Sequence, residues 1–342
     1  MSGGFQEPVG SEPESGTATH LTGGHPRLRP AYGQGTILKV EHRTAYRYRR
    51  AVSFGEHRLM FRPRDSHDLR LLETGLLIQP AASVRWLHDP FGNSVAIARF
   101  ETMAEEMVFE SSFLVEHYPI EPGAIELEPE ARRYPFAYTL EEMPDLEPCI
   151  TRHYPDPHAK VALWARSFLG GDGTADTLAC LTAMNASIRR DFEYTPRWEI
   201  GTRSPEHTLE LRSGTCRDYA LLMMEAVRSL GFAARFVSGY LYDETLIGRD
   251  TRLVGGGETH AWLEIYLPGA GWVEFDPTNA LVAGRNLIRV AVARDPARAI
   301  PLSGTFFGGP DDFLGMDVSV QVSTEPAAMR SAGGQPRSEM AE

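Results

Sequence analysis

Basic residues are in the minority in this 342-residue chain. There are 34 Lys and Arg against 46 Asp and Glu, a formal net charge of −12. No dense basic patch interrupts that balance, so a nucleic-acid partner is not expected, and an anionic membrane surface would repel the chain. Cysteine is scarce as well: Cys149, Cys180 and Cys216 are all there is. An odd, sparse set cannot build a disulfide framework and fits a reducing compartment. No run approaches the roughly 18 consecutive apolar residues of a membrane helix. The first stretch, Met1 to Gly16, is acidic and rich in Gly and Pro, without the basic and apolar regions of a signal peptide. The expectation is a soluble, cytoplasmic protein.

What remains is ordinary globular composition, 42% hydrophobic and 23% charged, at a length that suits two domains and two tails. Residues 1–35 and 324–342 carry few large apolar side chains and are expected to be disordered, because they cannot bury enough surface to offset chain entropy. Residues 36–118 read as a β-rich domain. Val40, His42, Thr44, Tyr46 and Tyr48 share one parity and Lys39, Glu41, Arg43, Arg47 and Arg49 the other, the pattern of a half-buried strand. Short strands are expected at 58–62, 75–79, 84–88, 94–100 and 107–116, with a turn at Asp89-Pro90-Phe91-Gly92-Asn93; that spacing suggests a sandwich. His42 reads as a buried, hydrogen-bonded strand histidine.

Residues 119–158, rich in Pro and acidic residues, read as a linker with some local structure. His153 and His158 flank Asp156 there, but Pro155 and Pro157 deny the regular spacing that would aim three metal ligands together. Residues 159–323 form the second domain. Helices are expected at 159–169 and 175–190, where Cys180 is a small buried hydrophobe. Ser204-Pro205-Glu206 opens another helix as cap, first residue and first-turn acid, and Gly214 is expected to end it in a left-handed conformation. A new helix must then begin with Cys216 in its first turn, burying Leu221, Met224, Val227 and Leu230, and stop at Gly231.

A helix start carries partial positive charge on its unpaired N–H groups. It stabilises a thiolate and can face the oxyanion that forms on an attacked carbonyl. Downstream, Thr259 to Tyr266 alternates strictly, and after Leu267-Pro268-Gly269-Ala270-Gly271 a second strand runs Trp272 to Asp276. In a hairpin with His260 opposite Asp276, and Trp262 opposite Glu274, the loop spans about Tyr266–Ala270. The imidazole and carboxylate then share one face with Cβ atoms roughly 5 Å apart. A carboxylate so placed fixes the imidazole tautomer and favours its charged form. Cys216, His260 and Asp276 are therefore the candidate nucleophile, base and orienting group.

The segments Gly-Thr-Cys-Arg-Asp-Tyr-Ala at 214–220, Gly-Phe-Ala-Ala-Arg-Phe-Val-Ser-Gly-Tyr at 231–240, Thr-His-Ala-Trp at 259–262 and Gly-Trp-Val-Glu-Phe-Asp-Pro-Thr-Asn at 271–279 resemble the transglutaminase-like superfamily. Residues 37–116 look like the β-rich domain preceding the catalytic core in its bacterial members. The resemblance implies an α+β chain, an N-terminal β-sandwich-like domain followed by a papain-like core of helices and antiparallel sheet. It implies thiolate attack on an amide, a thioester intermediate, and release to water or to a primary amine, with no metal or organic cofactor. Tyr194 and Trp198 are its candidates for a further oxyanion donor; Arg217 and Asp218 are expected to serve as an ion pair or helix-start contact. The expected partner is a protein or peptide substrate, with a primary amine as the alternative acceptor. Peptide or amide hydrolysis is the leading expectation; γ-glutamyl crosslinking and non-catalytic peptide binding are the alternatives.

Overall fold

Alternation along the first ordered stretch produces one long strand, Thr36–Phe54, in which Val40, His42 and Thr44 are buried while Glu41 and Arg43 face solvent. The structure is a computed structural model describing residues 35–120, 122–197, 201–242, 253–254, 257–284 and 286–324. Both expected tails, apart from Gly35 and Thr324, lie outside the described residues. The long strand pairs antiparallel with Ala104–His117, which pairs with Leu69–Gln79. A second antiparallel sheet holds Leu302–Ser303, His57–Leu59, Ser94–Phe100 and Ala82–His88 in that order. Tyr48, Phe54, Leu59, Phe61, Met107 and Phe109 are buried in one cluster with residues of both sheets, the two-layer arrangement that the alternation implies.

The free edge of Thr36–Phe54 is closed by the far end of the chain. Phe313–Thr324 pairs with it antiparallel from Leu38↔Thr324 to Tyr48↔Phe313. Met316–Val322, within the expected second domain, thus pairs with the β-rich part instead. A long strand edge with alternating apolar residues is a ready pairing template, and an unpaired one is a liability. Leu302–Ser303 and Phe306–Phe307 also add strands to the β-rich part.

The second domain is built around the helix Cys216–Ser229, which is buried throughout from Asp218 to Arg228. Helices Lys160–Arg166 and Pro205–Leu211 pack on it, and Thr177–Asp191 lies beside it. Its remaining flank lies on an all-antiparallel sheet in the order Leu281–Val282, Gly271–Asp276, Thr259–Leu267, Ala234–Leu241, Leu287–Ala293. Among the described residues no helix is long and apolar enough to cross a membrane.

Residues 119–158 hold more structure than a linker. A helix, Met143–Ile150, buries Leu146 and Cys149 beside Ala233. Tyr138 donates its hydroxyl to the Tyr266 carbonyl at 3.0 Å and accepts from the Ala233 N–H at 2.9 Å, and Tyr134 stacks on Phe232. The segment is strapped along the core. Pro144 at the helix start and Pro148 within it hid this helix from a periodicity reading.

Two glycines carry positional meaning. The helix opened by Ser204, whose hydroxyl accepts from the His207 N–H, ends at a left-handed Arg212 (φ 48°), not at Gly214. Gly214 instead lies in the short strand Ser213–Gly214, parallel to Glu193–Tyr194. A Cβ there would sit 2.9 Å from the Asp218 Cβ, so close approach is what demands glycine. At Gly239, opposite His260 on the neighbouring strand, a Cβ would lie 2.1 Å from the Ile288 carbonyl oxygen and 2.7 Å from the Trp262 ring. Gly239→Ala is expected to lower stability by about 1–3 kcal/mol through overpacking, read as a lower urea midpoint with unchanged slope.

Candidate active site

The helix carrying Cys216 is started by a buried carboxylate. Asp218, at the third helical position, accepts from the Thr215 N–H at 2.9 Å and the Thr215 hydroxyl at 3.0 Å. It also takes a two-pronged contact from Arg197, at 3.1 and 2.7 Å, and the Arg203 backbone N–H at 2.7 Å. Burial opposes its ionisation, but Arg197 and these N–H donors prevail and hold it below the usual carboxylate range. Asp218 is thus the helix-start contact expected of it, and Cys216 is fixed as the first helical residue, 7% exposed.

His260 and Asp276 meet as expected, by a different register. The hairpin pairs Leu263↔Phe275, Glu264↔Glu274 and Leu267↔Gly271, two residues away from the register that sets His260 directly opposite Asp276. The loop shrinks to 268–270, because Gly269 (φ 90°) and Gly271 (φ 72°) accept the left-handed conformations of a tight turn. A two-residue slip keeps parity, so both side chains stay on one face as diagonal neighbours within reach of a long side chain. His260 Nε2 lies 2.9 Å from Asp276 Oδ2. Asp276 also accepts from the Thr278 N–H (2.9 Å) and the Asn279 side-chain amide (2.8 Å).

Both groups are buried, His260 2% and Asp276 0% exposed. Burial alone would raise the Asp276 pKa, yet His260, Asn279 and Thr278 hold it below the ordinary value. For His260 burial pulls downward, but the Asp276 charge and hydrogen bond and contact with the Cys216 thiol push it up to about 10. The second ring nitrogen, Nδ1, is buried without a nitrogen or oxygen partner among the described residues. With Nε2 committed to Asp276, Nδ1 is the nitrogen left for the sulfur.

Tyr194 also reaches the thiol. Its strand is held to Gly214 by the parallel bridge, and Tyr219, one turn along the helix from Cys216, donates its hydroxyl to the Glu193 carbonyl. Burial and then the neighbouring Cys216 raise the Tyr194 pKa, so its hydroxyl stays protonated. Trp198 lies outside the described residues. The other cysteines sit elsewhere; all three are free, and burial first of all raises the Cys149 and Cys180 thiols. His42 is the buried strand histidine expected, between the Tyr240 hydroxyl (2.8 Å) and Thr44 (2.9 Å).

Further neighbours of the site had been given no role from the sequence. Trp262 lies beside His260 with ring centroids 6.0 Å apart and planes 26° from parallel, and its indole N–H donates to Glu274 at 3.2 Å. Glu274 and Glu264 both meet Arg289. The shared parity of Trp262, Glu264 and Glu274 was visible in the hairpin; no local signal pointed to Arg289, to Asp68 beyond it, or to Asn279.

Residues 165–277 match the core of the transglutaminase-like superfamily, and residues 38–116 match the bacterial transglutaminase-like N-terminal region. An uncharacterized protein of Mycobacterium tuberculosis H37Rv is 30% identical over 301 residues, covering 83% of this chain and 91% of that protein. The chain belongs to the transglutaminase-like superfamily. A Cytophaga hutchinsonii structure, assigned as a candidate cysteine protease, shares the fold with a TM-score of 0.64 at 20% identity, over 86% of this chain and 92% of that one. A protein-glutamine gamma-glutamyltransferase of Pseudomonas aeruginosa is 39% identical over 69 residues, 20% of this chain and 10% of that protein.

A histidine raised by its partners contributes stability that is complete below its unfolded value of 6.5 and is lost as pH rises through about 10. NMR titration of the His260 ring is therefore expected to show it still protonated at neutral pH. In Asp276→Asn it should titrate at least about one unit lower, since the largest upward influence is gone. An unshifted titration in that variant would mean that Asp276 does not hold the charge.

Proposed function

We propose that this transglutaminase-like protein is a cysteine-dependent acyl-transfer enzyme, acting on amide bonds of a peptide or protein through a thioester on Cys216. The observation that carries this reading is the buried His260–Asp276 contact of 2.9 Å, with Cys216 beside the ring and His260 Nδ1 without a nitrogen or oxygen partner among the described residues. In the proposed sequence the thiol proton already rests on His260, and the Cys216 sulfur attacks the amide carbonyl carbon. The oxyanion forms toward the helix start, where Tyr194 is the proposed additional donor. Collapse breaks the C–N bond, and the imidazolium passes its proton to the departing amine or ammonia. Water then attacks the thioester, with His260 accepting its proton and returning it to the sulfur. Asp276 keeps the ring oriented and stabilises its charged form throughout.

Peptide or amide hydrolysis is the proposed outcome, in a reducing compartment where the three free cysteines persist. The likeness over 69 residues to a protein-glutamine gamma-glutamyltransferase supports a second reading, in which a primary amine replaces water and a crosslink results. Mass spectrometry of peptide and protein libraries incubated with and without a primary amine separates the two: chain cleavage or conversion of an amide to an acid marks hydrolysis, and amine incorporation with loss of ammonia marks transfer. A library left unchanged by the wild type, with Cys216 intact and reduced, would favour the binding-module reading.

Cys216→Ala is expected to abolish turnover while leaving the unfolding transition in place. Tyr194→Phe should lower kcat by about two orders of magnitude, the typical cost of one oxyanion donor. Full activity in Cys216→Ala would refute the mechanism, and an unchanged kcat in Tyr194→Phe would remove that residue from it.

A further inference from the structure

Beyond the triad, a charged chain of contacts runs from the β-rich domain to the ring of His260. Asp68 precedes the strand Leu69–Gln79 of that domain, and its carboxylate accepts twice from Arg289 Nη2, at 3.2 and 3.1 Å. Arg289 lies on the strand Leu287–Ala293 of the catalytic sheet; its Nη1 reaches Glu264 at 3.1 Å and Glu274 at 3.4 Å. The same Glu274 oxygen accepts from the Trp262 indole N–H at 3.2 Å, and the Trp262 ring lies along that of His260. Trp262 is fully buried, with its ring against Gly239.

We infer that Asp68, Arg289 and Glu274 are positioning residues for the catalytic histidine: by anchoring the Trp262 indole they hold the His260 ring where its free nitrogen meets the Cys216 sulfur. The inference rests on the acyl-transfer reading of Cys216 and His260. It gives the β-rich domain a part in the chemistry, since one carboxylate of that domain completes the setting of the arginine.

The charges around the anchor support this reading. Three carboxylates, Asp68, Glu264 and Glu274, face Arg289, while Arg235 reaches Glu264 at 2.6 Å. His117, near Asp68 and Arg289, is pushed down to about 4, chiefly by burial, and is neutral. Among the described residues, two guanidinium groups, Arg289 and Arg235, thus face three carboxylates. Burial, opposed by Arg289 and reinforced by Glu264 and Asp68, pushes Glu274 up to about 8. A protonated Glu274 still offers an oxygen to the Trp262 N–H, as a glutamine would. Gly284 leaves room for this carboxylate; a Cβ there would lie 2.4 Å from Glu274 Oε2.

The test uses the full-length protein and iodoacetamide, and reads the ratio of the Cys216 labelling rates at about pH 6 and about pH 9.5. At the lower pH, fast labelling requires a well-placed imidazolium; at the higher, an ordinary thiol also reacts. A merely structural role for the anchor would lower the unfolding midpoint and leave the ratio alone. Asp68→Asn and Glu274→Ala are expected to lower the ratio by about three- to thirty-fold, the range for residues coupled to a site through contacts. Glu274→Gln, which keeps the acceptor, is expected to keep the wild-type ratio. The effect of Asp68→Asn should vanish in a Glu274→Ala background, because the two act through one indole.

If the wild type labels quickly at the lower pH and both Asp68→Asn and Glu274→Ala do so equally, the anchor is overturned and the triad stands. If the wild type shows no such preference, the acyl-transfer reading falls and takes the inference with it. Should Asp68→Asn fail to fold, Glu274→Ala against Glu274→Gln decides: equal ratios overturn the anchor, and a loss confined to the alanine variant upholds it.

Discussion

The structure depends on keeping one ion pair intact out of water. His260 and Asp276 are both fully enclosed, and desolvating two charges is costly unless geometry and further hydrogen bonds compensate. The compensation is local: Thr278 N–H and the Asn279 amide satisfy the carboxylate that the imidazole leaves half-filled. Asn279 also brackets Val254, accepting from its N–H and donating to its carbonyl. The carboxylate is thereby fixed to the segment that leads back into the His260 strand.

The thiol side repeats the same solution with opposite parts. Asp218 is buried, and Arg197 with three N–H and O–H donors keeps it ionised at the helix start. Both halves of the site thus rest on a buried carboxylate held by directed donors, one on the helix and one on the sheet. The central helix packs across that sheet, burying the Leu221–Val227 run against Phe236, Leu263 and Phe275, so the packing that stabilises the core also fixes the distance between the halves.

Period and punctuation made much of this legible. The half-buried alternation at 40–48, the Ser204-Pro205 helix start, the stop at Gly231 and the shared parity of His260 and Asp276 each follow from local rules. Parity survived although the register did not, because a slip of two preserves the face while the turn chooses the loop length. Less legible were the features set by distant partners. Gly214 reads as a helix terminator but is needed for close approach to Asp218. The strand Phe313–Thr324 reads as part of the nearer domain but closes the edge of a strand some 270 positions earlier. Arg289 has no local signal, since its three acidic partners come from three other segments. Met143–Ile150 was hidden by its own prolines.

The β-rich part and the core are not independent bodies joined by a linker. Asn93 brackets the backbone of Val292 at 2.7 and 2.9 Å, His42 meets Tyr240, and Leu38, Phe113, Tyr240 and Ile288 share one apolar cluster. The central claim, that Cys216 forms an acyl-enzyme with an amide substrate, is tested most directly by acid-quenching the protein during incubation with a peptide library and weighing the intact chain. The account predicts an acyl adduct on Cys216 that neutral hydroxylamine removes and that Cys216→Ala never acquires. Processing of the same library by Cys216→Ala at the wild-type rate would contradict it.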